Sequence, residues 1–241
     1  MLLINYNVEY IKMIKNFTIY GERCSGTNYL EKVMNLNFDN CPITWHYGWK
    51  HFFGFDDYKL DNAENTLFIC IVRDPVDWIN SFYRQMWHLP LKYNRTLIES
   101  AKMKKFLHGE FWSFDDNNGN KDTSKEIMED RHLQTKNRYK NIFELRYTKL
   151  KYLMEELPRK VNHFILIRYE DLTNDFENTM TRIKNKGLSV KSDISFPQNY
   201  YFNAKSRKKF TKRTNNKYLT RKILEHSDFD KDFEKTIGYS F

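Results

Sequence analysis

The chain has 241 residues, 40% of them hydrophobic and 17% aromatic, with only 8 Gly and 5 Pro. That is enough apolar mass for a packed core at a length of one domain or slightly more, and it excludes a disordered or collagen-like chain. Lys and Arg total 40 against 31 Asp and Glu, a net charge of +9 that favours an anionic partner; nine of those cations and one carboxylate fall in 201–225, so the other 216 residues net only +1.

Met1 to Phe17 is interrupted by Asn5, Asn7, Glu9, Lys12 and Lys15, unlike a secretory leader. No apolar run approaches the length of a membrane span. Cys24, Cys41 and Cys70 are odd in number, with no CxxC and no zinc spacing, so a reducing, cytoplasmic setting and no metal are expected. The two sequons, at Asn16 and Asn94, are taken as chance.

Phe17-Thr-Ile-Tyr20 is short and apolar and predicts a strand. A glycine turn follows, then a helix from Thr27 to about Leu36. Leu67–Val72 is a continuous apolar run, as in a parallel strand covered on both faces. Pro75 suits the first turn of the next helix, which continues through Trp78, Phe82 and Met86. The long stretch from about 86 to 160 has no strand signal and is expected to be a helical insertion. Within it Ser113–Ser124 is polar and turn-rich, Glu126, Glu129 and Asp130 suit either acidic contacts or, as preferred here, a solvated helix face, and Leu150, Leu153, Met154 and Leu157 recur at helical spacing, predicting a helix over Glu144–Leu157. His163–Ile167 is the third strand; Asp171 or Thr173 is the expected cap of a helix running to about Lys184. Strands alternating with helices indicate an α/β fold around a parallel sheet, and 1–241 is read as one domain.

Two motifs carry chemistry. Tyr20-Gly-Glu-Arg-Cys-Ser-Gly-Thr-Asn-Tyr-Leu30 joins a strand to a helix, with Gly21 and Gly26 at the spacing of a phosphate loop. Backbone N–H groups there can ring an anion at the helix start. The lysine of an NTPase loop is absent: Thr27 and Asn28 follow Gly26. The same pattern also suits a plain strand–turn–helix corner. The second motif, Ile71-Val-Arg-Asp-Pro-Val-Asp-Trp-Ile-Asn-Ser-Phe-Tyr83, places Arg73 at the end of the second strand, where open α/β sheets bind ligands. Ser81, two helical turns on, can share a phosphate with it; alternatively Arg73 and Asp74 form a helix-start ion pair.

In this order and placement the motifs resemble the sulfotransferases that use 3′-phosphoadenosine-5′-phosphosulfate (PAPS). The resemblance rests on Ser25-Gly26-Thr27, on Arg73 and Ser81 within an Arg-Asp-Pro…Ser-Phe-Tyr context, and on Arg168-Tyr-Glu-Asp-Leu172. It spans roughly residues 17–172 and implies a three-layer P-loop-like fold with a central parallel sheet flanked by helices. It implies that Cys24, Ser25, Gly26, Thr27 and Asn28 surround the 5′-phosphosulfate, that Arg73 and Ser81 hold the 3′-phosphate, and that Tyr169 lies near the adenine. The family often carries Lys or Arg immediately before Ser-Gly-Thr. Cys24 stands there in this chain, so either Arg23, the nearest cation, reaches the bridging oxygen of the sulfate from a different backbone angle or another cation substitutes; Cys24 itself is read as a small loop residue, not a nucleophile.

Transfer to a hydroxyl needs a base. The resemblance points to a His shortly before the second strand, and Trp45-His-Tyr-Gly-Trp-Lys-His-Phe-Phe53 occupies that region. His51, preceded by Lys50, is the preferred base and His46 its rival; Lys50 is expected to help neutralise the leaving phosphate. The aromatics of this segment, Trp45, Tyr47, Trp49, Phe52 and Phe53, suit either an acceptor pocket or the core, and Trp87, His88 and the insertion after them are where an acceptor is expected to be read.

The basic C-terminal stretch is expected to form a loop over the 3′-phosphate, with Arg207, Lys208 and Lys209 as contacts. The expected activity is therefore sulfuryl transfer from PAPS, leaving 3′,5′-phosphoadenosine (PAP), to a hydroxyl acceptor such as a glycan or small molecule. An anionic acceptor is compatible with the charge, and nucleic acid is the weaker partner. Two alternatives stand beside it: a P-loop nucleotide or nucleoside kinase, which would need the missing lysine, and a non-catalytic domain that binds nucleic acid or sulfated glycan through residues 205–222.

Overall fold

Three strands pair in parallel, in the order β1 (Asn16–Tyr20), β2 (Thr66–Val72), β3 (His163–Arg168). The computed structural model describes residues 13–116, 122–195, 199–201, 207–209 and 214–241, with backbone alone at Asp57, 199–201 and 207–209. β2 is central. Its seven residues are all buried, which is why the sequence shows an unbroken apolar run instead of alternation. The register sets Ile19 beside Ile69 and Ile69 beside Ile165. The outer edge of β1 is covered by an extended segment at 42–44, through Phe17 N–H to Pro42 O at 3.1 Å and Thr44 N–H to Phe17 O at 2.8 Å.

Strand alternation divides the side chains between two faces. Phe17, Ile19, Leu67, Ile69, Ile71, Ile165 and Ile167 pack beneath α1 (Thr27–Asn37) and the helix pair that follows β3. Tyr20, Phe68, Cys70 and Val72 face the other way, against Leu150, Leu153 and Leu157 of the insertion. The molecule is thus helix, sheet, helix, an α/β architecture with the parallel sheet in the middle. A third cluster lies beside it, built from α2 (Pro75–Gln85), α3 (Glu99–His108), α4 (Ile142–Lys151) and, near the C-terminus, α7 (Lys217–Leu224).

The expected helices are present with altered ends. The one over Glu144–Leu157 starts two residues earlier, because Asn141 caps α4 by accepting the N–H groups of Phe143 and Glu144. Beyond Lys151 it continues as a π-helical turn, Tyr152–Glu156, and a 3₁₀ turn, Leu157–Arg159. The helix after β3 is not capped at Asp171 or Thr173. It begins at Tyr169 as α5 (Tyr169–Asn174), and Asp175, at φ −134° and ψ 57°, breaks it from α6 (Phe176–Lys184).

Asp130 overturns an expectation. It sits on a 3₁₀ turn, Met128–Asp130, but is fully buried, not solvated, because two cations converge on it. Elements the sequence did not announce include the short antiparallel pair β4 (Asn199–Tyr201) and β5 (Arg207–Lys209), α7, and α8 (Lys231–Thr236). Of the basic stretch, Lys205, Lys212 and Arg213 lie outside the described residues, as do the side chains of Arg207, Lys208 and Lys209. No helix among the described residues is long and apolar enough to cross a membrane.

Candidate functional site

The turn from β1 into α1 is held from every side. Gly21 N–H donates to Lys50 O at 3.0 Å, and Ser25 N–H and Oγ–H both donate to Glu22 O, at 3.0 and 2.5 Å. Trp78 of α2 donates its indole N–H to Arg23 O at 2.7 Å, and the Arg73 guanidinium donates to Cys24 O at 3.0 Å. Three successive carbonyls, at 22, 23 and 24, are therefore turned toward protein donors. Cys24 and Gly26 both have left-handed backbone, at φ 66° and 101°. Such alternation makes a nest of N–H groups at a helix start. The glycines are needed sterically. A Cβ on Gly21 would lie 2.6 Å from Ile71 O, and one on Gly26 would lie 2.4 Å from the Tyr169 ring. The cavity beneath the turn is about 10 Å³, room for one water at most.

The second and third motifs meet on this loop. Arg73 lies 4.9 Å from the centroid of the Tyr169 ring, and Cys24 shares a hydrogen bond with Ser81. Arg73, Ser81, Tyr169, Cys24 and Gly26 thus form one cluster. The Arg73 Nε–H is buried without a hydrogen-bond partner. The rest of the third motif supports it: Glu170 accepts the Asp74 N–H at 3.0 Å, while Arg168 and Asp171 pair with each other at 2.6 Å. Arg146 adds a hydrogen bond to Arg73 O at 3.0 Å. Asp74 caps α2 by accepting the Asp77 N–H, so the helix-start pairing of Arg73 with Asp74 gives way to a cap and a separate cation. Burial pushes the Cys24 thiol up to about 11, which suits a small loop residue and not a nucleophile.

His51 and His46 separate clearly. His46 is exposed. His51 is turned into the loop, its Nδ1 2.7 Å from Gly21 O. A carbonyl only accepts, so Nδ1 carries the proton and Nε2 keeps a lone pair. Burial drives the imidazole well below its ordinary value; the cations Arg23, Lys50 and Lys149 add to this, and the Gly21 carbonyl opposes it. Lys50 is buried, hydrogen-bonded to Asn28 Oδ1 and 3.4 Å from Glu31, with its ammonium over Trp45 and Trp49. Burial lowers it, with Glu31 opposing. The aromatic segment divides: Tyr47 and Phe53 belong to the core, whereas Trp49 is 45% exposed.

Arg23 points elsewhere. Its guanidinium, 1% exposed, binds Asp130 at 2.7 Å and Ser113 at 2.5 Å and lies among Phe52, Phe82 and Phe111. It is committed to the insertion, not to the space above the loop. Lys149 completes this cluster by donating to Glu22 at 2.6 Å, Asp130 at 2.6 Å and His51 O at 2.7 Å. Lys149 escaped the sequence analysis, while Ser113 was read as part of a polar loop and Asp130 as solvated; none was expected beside the loop. In the insertion, His88 has left-handed backbone at φ 62° and lies 2.9 Å from Asp116. A cavity of about 150 Å³ nearby is lined by Leu89, Leu91, Lys105, Phe106, Phe111 and Trp112.

No family model matches the chain, and no curated protein matches it. Among solved structures it is similar to a mouse sulfotransferase complexed with PAP, with 15% sequence identity and a TM-score of 0.41. The match covers 74% of this chain and 61% of that one, less than two thirds of its length.

Proposed function

We propose that this protein is a sulfotransferase that moves a sulfuryl group from PAPS to a hydroxyl acceptor. The observation that carries the proposal is the meeting of Arg73, Ser81 and Tyr169 on a phosphate-type loop that lacks the NTPase lysine but has His51 bonded to its first glycine. The donor set fits the nucleotide: an orphaned Arg73 Nε–H, with Ser81 joined to the same Cys24, is suited to a phosphate, and Tyr169, which carries the Arg73 guanidinium over its ring, is proposed to lie near the adenine. PAPS supplies a sulfuryl group on a good leaving phosphate.

The chain's own residues do the remainder. The N–H groups around Cys24–Asn28 and the α1 terminus hold the transferring end. His51 Nε2, left unprotonated by the Nδ1–H bond to Gly21, takes the acceptor proton as the oxygen attacks. Lys50 lies next to Asn28 and balances negative charge at that end. Arg23 holds the loop through Asp130 and is assigned no contact with the nucleotide. The acceptor approaches across the insertion, past Phe52 and His88. Arg207, Lys208 and Lys209 remain proposed contacts to the 3′-phosphate. The neighbouring anchor favours this, because Asn215 and Asn216 bind Asp77 and Asn80 of α2, within a turn of Ser81. The protein is proposed to work as a single domain in the cytoplasm.

Calorimetry with PAP and with AMP tests the proposal. PAP is expected to bind at least tenfold more tightly, and Arg73→Ala to abolish the difference. Equal binding of the two nucleotides by the wild type would remove it. Mg-dependent ATP binding would favour a kinase instead.

A further inference from the structure

We propose that Lys149 is a positioning residue for His51, fixing the base segment to the phosphate loop from beneath. Its side chain is 1% exposed, in the last turn of α4. An ammonium has three N–H donors, and all three are used, on Glu22 Oε1 at 2.6 Å, Asp130 Oδ1 at 2.6 Å and the His51 carbonyl at 2.7 Å. These acceptors belong to three separate segments: the loop, the insertion and the base segment.

The other Asp130 oxygen accepts from Arg23 at 2.7 Å and from Ser113 Oγ at 2.5 Å. Two cations and two carboxylates thus balance in a buried site. Such clusters are a poor source of stability compared with apolar packing; what this one provides is registry. His51 is gripped at both ends, its ring Nδ1–H by Gly21 O and its main-chain carbonyl by Lys149. A shift of α4 or of Asp130 is transmitted directly to the imidazole that faces the loop.

The charge of Lys149 acts in the same direction as its geometry. Besides burial and the Gly21 carbonyl, the charged groups that act on His51 are Arg23 from the loop, Lys50 from its own segment and Lys149 from α4; Glu22 and Asp130 reach it through their bonds to Lys149. Among the cations, Arg23, Lys50 and Lys149 each hold the imidazole neutral. Removing Lys149 takes one of these away and leaves Glu22 and Asp130 less compensated, so the ring gains affinity for a proton.

The kinetic part of this inference rests on the sulfotransferase proposal; the titration part does not. The experiment follows the His51 imidazole by NMR in full-length wild type, Lys149→Met and Lys149→Arg, and measures PAPS turnover alongside. Lys149→Met is expected to move the His51 titration to higher pH and to lower kcat by about tenfold or more, with KM for PAPS little changed. Lys149→Arg, which keeps the charge, is expected to restore the low titration. Should Lys149→Met not fold, Lys149→Gln, which keeps an N–H donor without the charge, carries the same titration. A folded Met or Gln variant whose His51 titrates as in the wild type overturns the inference. A titration that moves in a protein with no PAPS turnover upholds the positioning role and removes the sulfotransferase proposal instead.

Discussion

A single carbonyl decides what His51 can do. Because Gly21 O accepts from Nδ1, Nε2 keeps the lone pair that the proposed base needs. With the imidazole held well below 6.5, activity is expected to be retained as the pH falls to that value, with its acid limb lower still; a kcat–pH profile checks this, and a limb above 6.5 would reassign the base. The thiols behave in the opposite sense. Cys24 and Cys41 are each pushed up to about 11 by burial, and Cys70 is raised by burial as well. All three are expected to resist iodoacetamide at pH 7.5 in the native protein, as read by mass spectrometry, and to react in urea. At Gly26 the left-handed backbone and the Tyr169 ring both exclude a side chain. Gly26→Ala is expected to cost about 1–3 kcal/mol of stability in urea unfolding.

At the scale of elements, the loop is held by neighbours more than by its own sequence. Asn80, 1% exposed on α2, accepts the Asn216 N–H at 2.9 Å and donates to Thr220 at 3.3 Å. Asn80→Ala leaves that N–H without its partner and is expected to cost about 1–3 kcal/mol. Because it also frees the end of the basic stretch, it should narrow the gap between PAP and AMP affinities. The strands and the two leading motifs were legible because continuous apolar runs and glycine turns are local signals. Asp130 was not. Its sequence surroundings, Met-Glu-Asp-Arg, read as solvent-facing, and only the arrival of Arg23 and Lys149 from 107 and 19 residues away makes burial tolerable. The break at Asp175 was equally hidden, since polar residues before Phe176 suit a helix interior or its start.

Taken whole, the molecule keeps its charge in balance inside and places the surplus at one end of the chain. The buried Arg23–Asp130–Lys149–Glu22 cluster is neutral, and Arg146 is matched by Glu234. Histidine governs the mild acid range. Burial, aided by neighbouring cations, lowers His51 and His88 in the fold, whereas the unfolded chain takes up protons near pH 6.5. Stability is therefore expected to fall as the pH drops below about 6.5. Urea midpoints at pH 7.5 and 5.5 check this, and His51→Gln should lose part of the difference.

The strip at 42–44 that covers the open side of β1 has a consequence of its own. It runs directly into the segment that carries Lys50 and His51, so the two come away together. Peeling it back would uncover the unpaired amide row of β1, a template for strand addition by another copy. Heat inactivation of this protein should therefore end in aggregates and not in a dormant monomer.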